Sequence, residues 1–362
     1  MKDEREEGDE FALIARHFAP LARSPAARGL LDDAALLENT GALVVTTDAI
    51  VEGVHFLKDD PVGRIAQKAL RVNLSDLAAK GATPLFYLLA LQWPTDRHAA
   101  QIADFAEGLA RDQATYGCTL IGGDTTTTPG PLAIVVTMFG RPGAGRTPDR
   151  GGAEVGDDVW VTGTIGDGVL GLAACRGEFR AMTQTIAPAM DPAMNPAMNP
   201  AMTPAMTPAM TPAHTAFLVD RYQTPSPRTA FAPAISRFAH TAMDVSDGLL
   251  GDAAKISAAS GVALVLDPES LPFSPAADAW LIQHRDRRAG VAHLVTGGDD
   301  YEIVFTAGPQ TRLALLEAAD DIGLQLTRIG AVKAGRGVQA GDLPVRAHVH
   351  RLGASTNPQG SS

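Results

Sequence analysis

Cysteine is scarce in this chain. Cys118 and Cys175 are the two present and lack CxxC spacing, so neither a disulfide framework nor a thiolate zinc site is indicated, and a reducing cytoplasm is the simplest home. Positive charge is in short supply too. With 30 Lys and Arg against 41 Asp and Glu, a net charge of −11 and a pI near 5.2, no basic stripe is available to displace counterions from a nucleic-acid backbone. Long apolar runs are missing: the longest, residues 85–91 ahead of Trp93-Pro94, falls far short of the roughly 20 residues a membrane helix needs. The opening MKDEREEGDE has no apolar signal-peptide core, so export is not expected. Several nucleotide-binding signatures are absent as well. There is no GxxxxGK[ST] loop and no kinase Gly-rich loop with its HRD and DFG partners, and the glycines of Gly163-Thr-Ile-Gly-Asp-Gly168 do not have dinucleotide-fingerprint spacing.

What is present reads as a soluble enzyme: 45% hydrophobic and 20% charged residues in a chain of 362, too long for one ordinary core. Two α/β domains are expected, residues 1–148 and 149–345, with 346–362 as a disordered polar tail. Periodicity predicts helices over residues 10–23 and from Pro61 to a C-cap at Gly81, and strands over 30–37, 42–47, 84–93, 118–121, 132–139 and 158–162. Beyond them come the compact signal AMDVSDGLL, residues 242–250, a helix over 252–260, a strand over 262–266, and a strand ending TGGDDYEIVF, residues 296–305. Residues 141–156, rich in Gly, Pro and Arg, read as the interdomain connection.

Within residues 187–213 the chain repeats Pro-Ala-Met-X. Proline at every fourth position removes helix donors, so the stretch is expected to be an extended low-complexity insertion. Soft-metal binding by its methionines is the less economical reading.

Residues 43–56, LVVTTDAIVEGVHF, start as a buried strand and end by delivering two hydroxyls, two acids and an imidazole. In open α/β folds, ligands sit at the carboxyl ends of strands. Other acid-bearing segments stand at element boundaries: Asp32-Asp33, Asn73-Leu74-Ser75-Asp76, Gly122-Gly123-Asp124, Asp244-Val245-Ser246-Asp247 and Gly297-Gly298-Asp299-Asp300-Tyr301-Glu302. Helix capping is the ordinary reading for Asp33, Asp124 or Asp247 taken singly. The combination favours a shared site for hard divalent cations and phosphate, because caps need neither Gly-Gly before them nor hydroxyls beside them. Lys68 and Arg71 could face phosphate or could cover apolar surface with their stems.

Together these segments resemble the thiamine-monophosphate kinase family, in the superfamily of aminoimidazole ribonucleotide synthetase and selenophosphate synthetase. The likeness rests on TTDAIVEGVHF, KALRVNLSDLAAKGATP, YGCTLIGGDTT, VTGTIGDGVLGL, MDVSDGL and GGDDYE, and spans about residues 10–337 apart from the insertion. It implies a two-domain synthetase-like α/β fold: an N-terminal domain whose sheet forms a homodimer, and a C-terminal α/β domain. It further implies transfer of the ATP γ-phosphoryl group to thiamine monophosphate, with several Mg²⁺ ions. By motif, Asp33, Thr46, Thr47, Asp48, Asp76, Asp124, Asp244 and Asp247 would hold metal. Gly123, Asp124, Arg150 and Ser246 would bind ATP, and His55 and Asp299 would bind thiamine monophosphate.

The chain departs from the family pattern at Leu31, where glycine is usual, and at Asp299, where the family has Glu. A C-terminal aromatic that packs on substrate has no counterpart after Pro344. Two other readings compete: a different ATP-dependent synthetase of the superfamily, and a nucleotide-binding protein without catalysis. A selenophosphate synthetase would want a reactive cysteine near its start, and none precedes Cys118.

Overall fold

The structure is a computed structural model that describes residues 10–32, 34–38, 40–98, 100–179 and 210–345. Its first sheet comprises β1 (Val44–Val51), β2 (Ala82–Pro94), β3 (Thr119–Thr128) and β4 (Ala133–Pro142) in the order β1-β4-β2-β3. β2 and β3 run parallel, and the other pairs are antiparallel. Strand alternation puts Ile134, Val136 and Met138 of β4 on one buried face. That face packs on two helices, α2 (Val62–Ala79) and α3 (Gln101–Tyr116), which follow a short first helix, α1 (Glu10–Leu13). The opposite face, with Val45, Thr47, Val135 and Phe139, is only partly covered.

The second sheet holds six strands: β5 (Asp158–Thr162), β6 (Ala239–Val245), β7 (Ala263–Leu266), β8 (Glu302–Ala307), β9 (Leu326–Lys333) and β10 (Gly337–Gln339), in the order β10-β7-β9-β5-β8-β6. The burial of all five β5 and all six β8 residues explains why those segments read as continuous rather than alternating apolar runs. Around this sheet lie α4 (Asp167–Cys175), α5 (Pro212–Gln223), α6 (Ala232–Phe238), α7 (Leu249–Ser260), α8 (Pro275–Gln283), α9 (Arg287–Thr296) and α10 (Arg312–Asp320). The two units share a core. Ala78 and Ala79 at the end of α2 are buried with Trp160, Ile303 and Phe305, while Tyr301 joins the core of the first unit. The C-terminal end of α2 therefore lies between the two sheets.

Several elements differ from the sequence reading. Residues 25–30 form a 3-10 turn, and none of the described residues between 31 and 37 belongs to a strand: Arg28 and Leu30 take positive φ and Leu31 is 93% exposed. The helix over 10–23 breaks into α, π and 3-10 turns, with Pro20 in the last of them. β3 does not stop at Gly122-Gly123 but continues through the four threonines. Gly123 makes this possible, since a Cβ there would lie 1.9 Å from the Leu89 carbonyl of β2. Asp124 is thus a strand residue, which removes its capping role.

The last repeat unit also surprises. Thr211 accepts from His214 N at 3.1 Å in a capping box and Pro212 occupies the first turn of α5, where a missing N–H costs nothing. The rest of the insertion, Asp33 and the tail from residue 346 lie outside the described residues.

Candidate active site

Three carboxylates from three elements meet at the junction. Asp48 lies in β1, on the face that turns toward α2; Asp76 sits in the last turn of α2; Asp244 is the penultimate residue of β6. Thr46, two residues before Asp48 and hence on the same face, donates its hydroxyl to Asp76. Burial, then the Asp76 charge and a hydrogen bond with it, raise the Asp48 carboxyl to about 6. Asp244, only 8% exposed, is pushed well above the ordinary carboxylate range by burial and by Asp76, Asp252 and Asp48, against a small opposing pull from Ser75. An ammonium that feels Asp76 and Asp244 makes its hydrogen bonds elsewhere: Lys80 Nζ donates to the carbonyls of Ala242 and Pro148, at 2.8 and 3.1 Å. Burial, and then Arg150, lower its pKa. Among the described residues none of the three acids forms an ion pair, and gathered carboxylates of this kind are what a divalent ion would stabilise.

The cluster opens into a cleft of about 710 Å³ between the units, lined also by His55, Ser246, Asp247, Gly298, Asp299 and Tyr301. Close backbone approach builds this wall. A Cβ on Gly298 would fall 2.3 Å from the Ser246 carbonyl, and Asp299 N and Tyr301 N donate to Ser246 O and Val245 O at 3.0 and 2.8 Å. Gly298 is therefore what lets GGDDYE lie along MDVSDG, while Gly297 makes room for Val169 of α4. Asp247 is held by Lys255 at 2.5 Å, and its backbone N–H, like that of Ser246, donates to Asp252 at 3.0 Å. Asp252, rather than Asp247, is the acid that organises this turn.

His55 Nδ1 accepts from Val51 N at 3.1 Å, which leaves the proton of the neutral ring on Nε2. Thr46, Asp48, Asp76, Asp244, Ser246, Asp247, His55 and Asp299 thus share one region. Four other expected site residues lie apart. Thr47 points to the opposite sheet face, where its hydroxyl meets Val136 O and Thr137 Oγ1 at 3.1 and 3.0 Å. Gly123 and Asp124 lie on β3, at the far edge of the sheet from β1, beside a separate hollow of about 700 Å³. Arg150 is exposed next to β6, its carbonyl accepting from Ser260 Oγ at 3.3 Å.

The acidic string GGDDYE divides by role. Asp299 faces the cleft, whereas buried Asp300 accepts from Gly166 N and Gly168 N at the start of α4. Glu302, fully buried, binds Thr162, Arg221 and Arg228. Arg71 is tied to Asp112 and to the carbonyls of Thr224 and Pro225. Tyr222 carried no signal in the sequence, and Tyr301 was marked only as part of the GGDDYE segment. Lys68 did carry one: it stands three residues after Ile65 and four before Val72, on the apolar face of α2. A second acid and imidazole group, Glu154, Asp157 and His240, lies outside the cleft and is knit by hydrogen bonds from His240 and Thr306 to Asp157.

Fold and cleft define a two-domain synthetase-like α/β protein with an acid-lined junction. Residues 31–141 and 154–342 match the N-terminal and C-terminal domains of the family described as AIR synthase related protein. A curated thiamine-monophosphate kinase from Caulobacter vibrioides is 42% identical over 334 residues, 91% of this chain and 86% of that protein. The crystal structure of thiamine-monophosphate kinase from Stenotrophomonas maltophilia superposes with a TM-score of 0.74 at 38% identity, covering 93% of this chain and 98% of that one. AaThiL complexed with AMPPCP and TMP gives 0.67 at 26% identity, over 96% and 99%. The chain belongs to the thiamine-monophosphate kinase family.

Proposed function

We propose that this protein transfers the γ-phosphoryl group of ATP to the phosphate of thiamine monophosphate, yielding thiamine diphosphate and ADP. The observation that carries the reading is the convergence of Asp48, Asp76 and Asp244 on the cleft that also holds His55 and Asp299. A substrate phosphate oxygen attacks the γ-phosphorus in line as the bond to the β-phosphate oxygen breaks. The attacking oxygen of thiamine monophosphate is already ionised near neutral pH, so no protein base or nucleophile is needed. The chain's work is alignment and charge control.

The donor set fits Mg²⁺. Asp48, Asp76 and Asp244 would hold it, with Thr46, Asp247 and Asp33 as further candidates, and when bound it neutralises phosphate charge; Thr47, whose hydroxyl is on the other sheet face, would have to contribute through its backbone, and Asp124 from a second copy of the chain. Asp247, fixed by Lys255, and Ser246, on a backbone pinned by Asp252, bound the phosphate side. His55 and Asp299, both lining the cleft, would contact thiamine monophosphate. Gly123, Asp124 and Arg150 complete ATP binding.

A homodimer joined through the first sheet suits both open sheet edges and the half-covered face, and it would bring Gly123 and Asp124 of a second copy toward the acid cluster. A cytoplasmic enzyme fits the acidic composition; no helix among the described residues is long and apolar enough to cross a membrane. Purified protein incubated with ATP, Mg²⁺ and thiamine monophosphate should form thiamine diphosphate. ATP binding without product would instead favour a nucleotide-binding protein that has lost catalysis.

A further inference from the structure

Lys68 is the most deeply buried ammonium at the cleft, its side chain 1% exposed. It projects from α2 to three separate partners. Nζ donates to the His55 carbonyl at 2.8 Å and to Asp299 Oδ2 at 3.2 Å, and it lies 3.7 Å from the ring centroid of Tyr222. An ammonium has three protons, and these three contacts use its capacity. Its partners are themselves cross-linked. Tyr222 Oη donates to the same His55 carbonyl at 3.2 Å, and Tyr301 Oη donates to Asp299 Oδ1 at 3.2 Å.

Two consequences follow. Both oxygens of the Asp299 carboxylate are fixed on a residue whose φ of +70° is unfavourable for a side-chain-bearing residue, so its orientation is imposed from outside. Its charge is also balanced by a neighbour. The carboxylate, 26% exposed toward the cleft, keeps lone pairs to accept hydrogen bonds without adding another full negative charge near Asp48, Asp76, Asp244 and Asp247. An incoming phosphate ester would otherwise be repelled. A buried lysine survives only when so paired, and as a structural element an apolar residue would serve α2 at least as well.

We infer that Lys68 is a positioning and specificity-determining residue: through Asp299 and the His55 loop it presents a charge-balanced hydrogen-bond acceptor to the heteroaromatic, hydrogen-bond-donating end of the substrate. The inference rests on reading the cleft as the thiamine monophosphate site.

The test uses the full chain and separate Michaelis constants. Losing a charge-assisted hydrogen bond, Lys68→Met should raise KM for thiamine monophosphate roughly tenfold or more while KM for ATP and kcat stay within about twofold. In an Asp299→Asn background the same change should cost less than about threefold, because its partner charge has already gone. A role in folding alone would move both Michaelis constants and would be additive with Asp299→Asn, and either result overturns the inference. Lys68→Arg, which keeps the charge but replaces a compact ammonium with a planar fork, carries the same cycle should the methionine variant not fold. A wild-type chain that makes no thiamine diphosphate refutes the reading of the cleft. An active wild type with an unaltered Lys68→Met variant refutes only the role of Lys68.

Discussion

Asp48 of β1 and Asp76 of α2 meet carboxyl to carboxyl and share a hydrogen bond, and burial with this contact lifts Asp48 to about 6. Two carboxyls that close need a proton or a cation between them. The same contact therefore ties the stability of the metal-free chain to pH.

The sign follows from linkage. A carboxyl raised in the folded state binds its proton more tightly there than in the unfolded chain, so the stabilisation belongs to the protonated form and is lost as pH rises. For Asp48 the window runs from about 4 to about 6 and the loss is on the order of 3 kcal/mol. Asp244 acts in the same direction. In a chelator, Asp48→Asn should melt several degrees above wild type at pH 7.5, with the gap closing toward pH 5. With Mg²⁺ restored, wild type should gain stability that the variant does not, and turnover of the variant at limiting Mg²⁺ should drop at least tenfold. A gap that is constant with pH would sink the assignment.

Glu302 should behave quite differently from Asp299, although they stand three residues apart. Its carboxylate is buried between Arg221 and Arg228. Glu302→Ala strips Arg228 of its counter-charge and leaves Arg221 only Asp167, at 3.9 Å, and should cost about 3–5 kcal/mol in urea unfolding. Any variant protein that remains folded should keep its Michaelis constant for thiamine monophosphate. A selective rise in that constant at full stability would show that Glu302 reaches substrate.

The repeat insertion has a defined working end. Deleting residues 188–207 keeps the Thr211 cap and should leave kinase activity within about twofold, because a sequence with proline at every fourth position lacks the donors a helix needs and long surface insertions cost little to close. Extending the deletion through Pro212 removes the cap of α5, worth about 1 kcal/mol, and loosens the helix that carries Tyr222 to Lys68. Melting temperature and the thiamine monophosphate KM report the two deletions side by side. Equal behaviour would mean that the cap does not matter.

Much of the site was legible in the chain because its acids stand at element ends, where period changes mark a boundary: Asp48, Asp76, Asp244 and Asp299 all lay in recognisable segments. Legibility failed where a side chain's direction depended on distant partners. Thr46 and Thr47 are adjacent, yet strand alternation sends only Thr46 to Asp76. Asp300 and Glu302 read as site acids but are consumed by α4 and by two arginines. β3 was cut short at its glycines because sequence shows a glycine without showing the neighbouring strand it must approach.

Asp124 and Asp48 give the last expectation. They lie on β3 and β1, the two outer strands of the first sheet, with β4 and β2 between them. Three strand spacings of about 4.8 Å separate those strands by about 14 Å, too far for both acids to hold one ion. If both serve one site, the second copy of the chain must supply one of them. Asp48→Asn and Asp124→Asn homodimers would then each be inactive. Unfolding and refolding them as an equal mixture makes half the dimers mixed, and in each of those one site carries both substitutions while the other carries neither. Activity should return to about a quarter of wild type, as two-fold symmetry requires. No recovery, with mixed dimers verified by differently tagged chains, would place Asp124 outside the metal site of its partner and confine that site to Asp48, Asp76 and Asp244 of one chain.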